Sequence, residues 1–364
     1  MSLIRSILLF SFLSITSFSF AQKRATVDSI TISAAQFRSV GPAFMTGRIS
    51  DVVIDPADES HWYVGIGSGG VWETKNAGVT FKPIFDKQKV YSIGCITLDA
   101  NSRNLWVGSG ENVGGRHISF GDGIYLSKDG GRTWKNMGLK SSNHISKIVV
   151  HPTNPDMVWV AAQGPLWNIG GDRGVYKSVD GGKKWKRVLG DAEWTGATDL
   201  LIDPRNPDIL YAATWQRHRT VASYLGGGRK SGIHKSIDGG KTWQKLKTGL
   251  PSGSVGKIGL AISPQNPDVL YAAVETQLKE GGFYRSADRG MSWTKQSDQI
   301  SAGTGPHYYQ EIWASPHQFD RVYFANNYFK VTNDGGKTFQ GVGKAYKHVD
   351  NHAVAFKAND PDYL

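Results

Sequence analysis

An all-β propeller of four-stranded blades, six complete and a seventh begun, is the fold this sequence predicts, and three observations lead there. One eight-residue turn, Ser/Thr-x-Asp-x-Gly-x-Thr-Trp, recurs six times along the 364 residues. Its third positions are Asn76, Asp129, Asp180, Asp238, Asp288 and Asp334, spaced by 53, 51, 58, 50 and 46 residues, a blade-sized period that points to a radial or solenoidal array. A second turn, Pro-x-Asn-Pro-Asp, falls between successive copies of the first and fixes the phase of the repeat.

The first turn joins two short β runs, as in Gly282-Phe-Tyr-Arg285 before and Trp293-Thr-Lys295 after it, so it is a hairpin. Its Asp accepts backbone N–H groups of the same turn, its Gly supplies the positive φ of a tight reversal, and the closing aromatic packs over the turn. Six copies of one local hydrogen-bonding device describe a structural part, so Asn76 and the five Asp residues are expected to hold turns rather than to catalyse. The second turn sits between an apolar run and a small-residue run, as in Leu201-Ile-Asp-Pro-Arg-Asn-Pro-Asp-Ile-Leu-Tyr-Ala-Ala213, Leu260 to Ala273 and Ile148 to Val160. These runs suit strands near a propeller axis. Each unit therefore has strands A, B, C and D, with A-B closed by Asn-Pro-Asp and C-D by the recurring turn.

Strand parity then sorts the loops. The A-B and C-D turns emerge on one face of the disc, and the B-C loops and blade-to-blade connectors on the other. The second set is long, irregular and aromatic: residues 111–121, 163–173, 214–231 and 275–282, with connectors near 191–199, 304–311 and 346–352. Binding and catalysis concentrate in such loops on a rigid scaffold. The candidate ligand-binding residues are Arg116, Trp167, Trp215, Arg217, Tyr308, Tyr309, His348 and His352, a mixture suited to stacking on sugar rings or gripping an extended peptide. Glu111, Asp199, Glu311 and Asp350 are the candidate acid and base.

The ends and the composition add limits. Residues 1–21 read as a secretory signal, with a basic start to Arg5, an apolar core from Ser6 to Phe18 and a Ser-Phe-Ala cleavage site before Gln22, so a propeller over 22–364 is expected to be secreted or periplasmic. No other apolar run is long enough to span a bilayer. A net charge of +11 on an exported chain points to acidic polysaccharide, envelope or no specific partner rather than to nucleic acid. The single Cys95 excludes a disulfide framework and reads as a small core residue. No cofactor or metal is expected: on an extended strand His348 and His352 stand roughly 13 Å apart, too far to share one ion. After the sixth turn the pattern restarts at Val354-Ala-Phe-Lys-Ala-Asn-Asp-Pro-Asp-Tyr-Leu364, an A strand, its turn and the start of a B strand, so the propeller is expected to be incomplete, with further C-terminal domains possible.

The recurring turn is the Asp-box, or BNR, repeat, and it resembles the repeats of sialidases, sortilin-type receptors, xyloglucanases and the photosystem II assembly propeller. Phe37-Arg-Ser-Val-Gly-Pro42, Trp215-Gln-Arg-His-Arg219, the run from Gly226 to Gly232, His307-Tyr-Tyr309 and His348-Val-Asp-Asn-His352 look like a group of secreted bacterial propeller proteins with a sortilin-like N-terminal domain, often labelled glycosyl hydrolases. The xyloglucanase resemblance implies a catalytic Asp in the first blade. The matching stretch here is Tyr63-Val-Gly-Ile-Gly-Ser-Gly-Gly-Val-Trp72, which holds Gly67 at that position. Glycoside hydrolysis ordinarily needs two carboxylates. The expected function is thus a scaffold that binds carbohydrate or peptide through its long-loop face, with a polysaccharide hydrolase and a structural or assembly factor as the alternatives.

Overall fold

The computed structural model describes residues 48–101, 103–113, 118–191, 193–276, 280–300, 310–325, 328–343 and 349–363. The signal segment and the motif from Phe37 to Pro42 lie outside them. Every regular element described is a strand. Blade 1 is β1 (Ile49–Asp55), β2 (Asp58–Ile66), β3 (Gly70–Thr74) and β4 (Lys82–Pro83); blade 2 is β5 (Ile93–Leu98), β6 (Leu105–Ser109), β7 (Ile124–Ser127) and β8 (Lys135–Gly138). Blade 3 is β9 (Ile145–Val150), β10 (Val158–Ala162), β11 (Gly174–Ser178) and β12 (Lys186–Leu189). In blade 4, β13 (Thr195–Asp203) and β14 (Asn206–Gln216) are followed by a separate hairpin, β15 (His218–Arg219) with β16 (Tyr224–Leu225), before β17 (Gly232–Ser236) and β18 (Gln244–Lys245) complete the sheet. Blade 5 is β19 (Val255–Ile262), β20 (Leu270–Thr276), β21 (Gly282–Ser286) and β22 (Thr294–Ser297); blade 6 is β23 (Glu311–Ala314), β24 (Val322–Ala325), β25 (Lys330–Thr332) and β26 (Gln340–Gly341).

The six sheets form a propeller. First strands of successive blades lie side by side, β1 on β5, then β9, β13, β19 and β23, so the A strands line the axis. Apolar side chains fill the spaces between blades: Cys95, Trp106 and Ile124 of blade 2 pack with Ile148 and Val160 of blade 3, and Tyr211 and Ile233 of blade 4 with Leu260 and Ala272 of blade 5. Cys95 is buried and unbridged, and burial pushes its thiol pKa up, as a core residue requires.

The Asp-box does what its chemistry predicts. In blade 4 the Ser236 hydroxyl donates to Asp238 Oδ1 at 2.8 Å and accepts the Gly240 N–H at 2.8 Å. Asp238 Oδ1 accepts the N–H groups of Lys241 and Thr242, each at 2.9 Å. The same set recurs at Asp129, Asp180, Asp288 and Asp334, and at Asn76 with its amide oxygen in place of a carboxylate. Gly240 has φ +79° and its Cα faces the Trp159 ring, so a side chain there is excluded twice. Two of the closing indoles stitch blades together: Trp134 donates to Ile84 O and Trp185 to Met137 O, each at 2.8 Å and each on the preceding blade. Ser236→Ala orphans the buried Gly240 N–H and is expected to cost about 1–3 kcal/mol, read as a lower urea midpoint. An unchanged midpoint would show that the hydroxyl carries no weight.

The two sets of short turns share one face. Gly181 donates to Asp156 O at 3.0 Å, and Gly239 to Asp208 O, Arg289 to Asp268 O and Gly335 to Asp320 O, each at 2.9 Å, so in four blades the Asp-box leans on the A-B turn. The B-C loops and connectors leave the opposite strand ends.

The beginning of a seventh blade takes a form the sequence did not predict. Residues 349–363 contain no strand, yet Val354 and Phe356 pack on Tyr323 and Phe329 of blade 6. The His317 ring bonds Lys357 O at 2.8 Å, and Asn359 reaches Glu59 of blade 1. The segment therefore occupies the space between blades 6 and 1 through its apolar side chains. A strand needs a ladder of backbone hydrogen bonds to a neighbour, and the described residues of this segment form none.

Candidate functional site

Bulges in the A strands decide which side chains reach the axis. Their pairing slips between Ile49 and Asp51, Ile93 and Cys95, Ala197 and Asp199, and Val255 and Ile258, and opposite Ala161 and Ala162 in blade 3. Beyond each slip one register position repeats, opposite Gly65, Gly108, Ala161, Ala213, Ala273 and Ala325, and it holds Asp51, Cys95, Lys147, Asp199, Gly259 and Glu311 in turn. The axis thus carries three carboxylates and Lys147, with Lys257 reaching Glu311 at 2.9 Å from two residues before Gly259.

Two of these carboxylates are staples. Asp51 Oδ2 accepts the Ile96 N–H of blade 2 at 2.9 Å, and Asp199 Oδ2 accepts the Leu260 N–H of blade 5 at 2.8 Å. Each also accepts the N–H of the residue following it. Bulged strands leave such N–H groups without a ladder partner, and these Asp residues supply the acceptor across the blade boundary. Burial pushes Asp199 up to about 6, with Lys147 pulling down and Glu311 pushing up. Burial also disfavours the Lys147 charge, but Asp199, Asp51 and Glu311 outweigh it and hold its pKa above the ordinary lysine range. Asp199 is therefore tied to the backbone of two adjoining blades.

Glu311, Asp350 and His352 do come together. Burial first, then the charges of Arg48 and Lys257, pulls the His352 pKa down to about 4 against the opposing fields of Glu311 and Asp350. Arg48 is shared with a second carboxylate, since its Nε donates to Glu111 Oε1 at 2.8 Å and its Nη2 bonds the same oxygen. Glu111 lies against Gly67: a Cβ on that glycine would collide with Glu111 Oε1. The Glu111 side chain, from the B-C loop of blade 2, thus fills the space that a side chain at position 67 would take. Burial raises the Glu111 pKa, Arg48 opposes the rise, and Oε2 is buried with no hydrogen-bond partner. The His144 Nδ1–H donates to Glu111 O at 2.9 Å and fixes its backbone.

The remaining expected ligand residues divide. Trp215 and Arg217 are fully buried, which corrects their reading as contact residues. The Trp215 indole donates to Gly226 O at 2.9 Å, and Arg217 donates to Val113 O and Gly164 O, each at 3.2 Å, so the pair ties three loops together from beneath. Arg173 does similar work through Gln163 O, Asn168 O and Gly170 O. Trp167 is 45% exposed, and two neighbouring loops of the same face carry Tyr91 at 61% and Phe120 at 69%. Arg116, Tyr308, Tyr309 and His348 lie outside the described residues. Sequence reasoning missed Arg48, Asp51, Lys147 and Lys257; the signal available for the lysines is a charge inside an otherwise apolar run. No group of three or more His, Cys, Asp or Glu suited to a metal occurs among the described residues, and no described helix is long and apolar enough to cross a membrane.

Residues 122–279 match the family model described as sortilin, neurotensin receptor 3. The chain is 26% identical over 227 residues to a xyloglucanase of Paenibacillus sp, covering 59% of this chain and 19% of that protein. It is 21% identical over 218 residues to an oligoxyloglucan-reducing end-specific xyloglucanase of Emericella nidulans, covering 55% and 24%. Across its curated relatives the chain spans a quarter of their length or less. Among solved structures it is similar to an ancestral GH74 enzyme, with TM-score 0.52, 20% identity and coverage of 78% of this chain and 34% of that one. It is also similar to YCF48 from Cyanidioschyzon merolae, with TM-score 0.53, 14% identity and coverage of 83% and 87%. These structural likenesses establish the propeller fold.

Proposed function

We propose that this propeller is an exported scaffold that binds polysaccharide through its long-loop face. The observation that carries the reading is the set of exposed rings on that face, Tyr91, Phe120 and Trp167, on three loops that follow one another around blades 1 to 3. Partly exposed aromatics on a rigid support offer flat apolar area to pyranose faces at low entropic cost. The likeness to xyloglucanases supports a β-glucan as the ligand class. Trp167→Ala is expected to weaken binding of xyloglucan oligosaccharide five- to tenfold, about 1 kcal/mol for one stacking contact, with stability unchanged. Equal affinity of variant and wild type in calorimetry would remove Trp167 from the site.

A hydrolase is the second reading, and the position of Glu111 favours it. A carboxyl group stands where blade 1 offers only Gly67, and burial raises its pKa, as a general acid requires. Against it, the Arg48 pair holds the carboxylate, and Glu311 is paired to Lys257. Purified protein should therefore bind xyloglucan without releasing new reducing ends. Turnover that disappears in Glu111→Gln would make the chain an enzyme.

A further inference from the structure

Blade 4 carries a histidine at a position where four other blades carry a tyrosine or a tryptophan. Two residues before the Asp-box Ser or Thr stand Trp72, Tyr125, Tyr176 and Tyr284 in blades 1, 2, 3 and 5, and each polar tip reaches back to the segment just before its strand. Trp72 donates to Gly69 O at 2.8 Å, Tyr125 to Asp122 at 2.9 Å, Tyr176 to Asp172 at 3.4 Å and Tyr284 to Glu280 O at 2.5 Å. Blade 4 has His234 there. Its shorter ring is nine-tenths buried, with the Gly232 backbone as its hydrogen-bond partner. In front of it opens a cavity of about 340 Å³ lined by His234, Asp191, Thr195, Arg229, Lys230 and Lys245, among others.

The lining is cationic. Lys230 is paired with Asp191 at 2.9 Å. Lys245 donates to Arg229 O at 2.7 Å and Ser231 O at 2.6 Å, which leaves one of its three N–H groups over. The Arg229 guanidinium is exposed and enters none of the side-chain bonds that hold these loops. An ammonium and a planar fork beside a buried imidazole make a receptor for a carboxylate. The connector that carries Asp191 is tied to the Trp167 loop, since Gly170 donates to Glu193 O at 3.1 Å.

We propose that this cavity is a carboxylate-binding subsite that takes the uronate group of an acidic polysaccharide. The inference rests on the long-loop-face reading and moves its ligand from a neutral β-glucan to an acidic polysaccharide. A sugar is favoured over an acidic peptide because an anion pocket tied to the loop of an exposed indole matches a pyranose ring that bears its carboxylate at the edge.

The test is calorimetry with tetragalacturonate, a neutral cello-oligosaccharide of equal length and a tetra-glutamate peptide. Wild type should bind the oligouronate at least tenfold more tightly than the neutral sugar. Arg229→Ala should remove most of that preference, and His234→Tyr, which restores the side chain of three other blades, should fill the cavity and abolish the preference while the fold is retained. Equal affinity for neutral and acidic sugars that still depends on Trp167 would overturn the subsite and leave the loop-face reading standing. Oligouronate binding lost in Arg229→Ala but indifferent to Trp167→Ala would keep the subsite and remove the stacking surface. Binding of tetra-glutamate as tight as that of the oligouronate, with the same response to both cavity variants, would overturn the sugar assignment.

Discussion

Replacing Trp215 by Ala is expected to cost about 3–5 kcal/mol, the range for deleting a large buried aromatic. The ring is fully buried at the end of β14, its N–H is spent on Gly226 O at 2.9 Å, and the Arg217 guanidinium stands 5.3 Å from its centre. Truncation leaves a cavity, an orphaned carbonyl and a buried cation without its aromatic wall. The loss should appear as a large fall in urea midpoint. Ligand affinity, measured where both proteins are folded, should change far less than in Trp167→Ala. A Trp215→Ala protein of normal stability and lost binding would return this residue to the contact surface.

The second large effect is expected from Lys147→Met. Lys147 is the cation between Asp51, Asp199 and Glu311 on the axis. Removing one member of a buried charge set typically costs about 3–5 kcal/mol; because Lys147 keeps some contact with channel solvent, about 2–4 kcal/mol is expected. The pH dependence identifies the cause. Asp199 titrates at about 6 in the folded protein against an ordinary 3.8, so the folded state binds its proton more tightly than the unfolded state. This group therefore stabilises the fold increasingly as pH falls from about 6 towards 4, and its contribution is lost as pH rises through that window. Without Lys147 the carboxylates repel more strongly, so the deficit of the variant should be larger at pH 8 than at pH 5. A deficit independent of pH would mean that the lysine acts through packing alone.

The fold was legible because it repeats local chemistry. Ser236, Asp238 and Gly240 interact within one turn, so their spacing alone predicts their bonds. The axis was legible only in part. Lys147 stands out as a charge in Ile145-Ser-Lys-Ile-Val-Val150, but its partners lie on other blades, and the bulge that aims it inward breaks the strict alternation that sequence reading assumes. Glu111 was legible as a loop carboxylate, whereas its partner Arg48 is 63 residues away with no motif to link them. Trp215 misled for a related reason: composition marks a loop as aromatic but does not say which rings face inward. Residues 349–363 show the converse: their A-strand pattern carries Val354 and Phe356, which pack on blade 6, but the segment forms no strand.

The hairpin β15–β16 shows how this architecture absorbs change. The interval from Asp180 to Asp238 is the longest between Asp-boxes, 58 residues, and blade 4 still has four strands in register with its neighbours because the surplus is spent on a small ornament between β14 and β17. Length can enter this molecule without disturbing its symmetry, but only from one side. The Asp-box side behaves as a chassis with fixed dimensions, and the opposite side as a set of interchangeable fittings. New specificities, whether reached by mutation or by grafting, therefore have a natural port between Gln216 and Gly232, where added residues leave the chassis untouched.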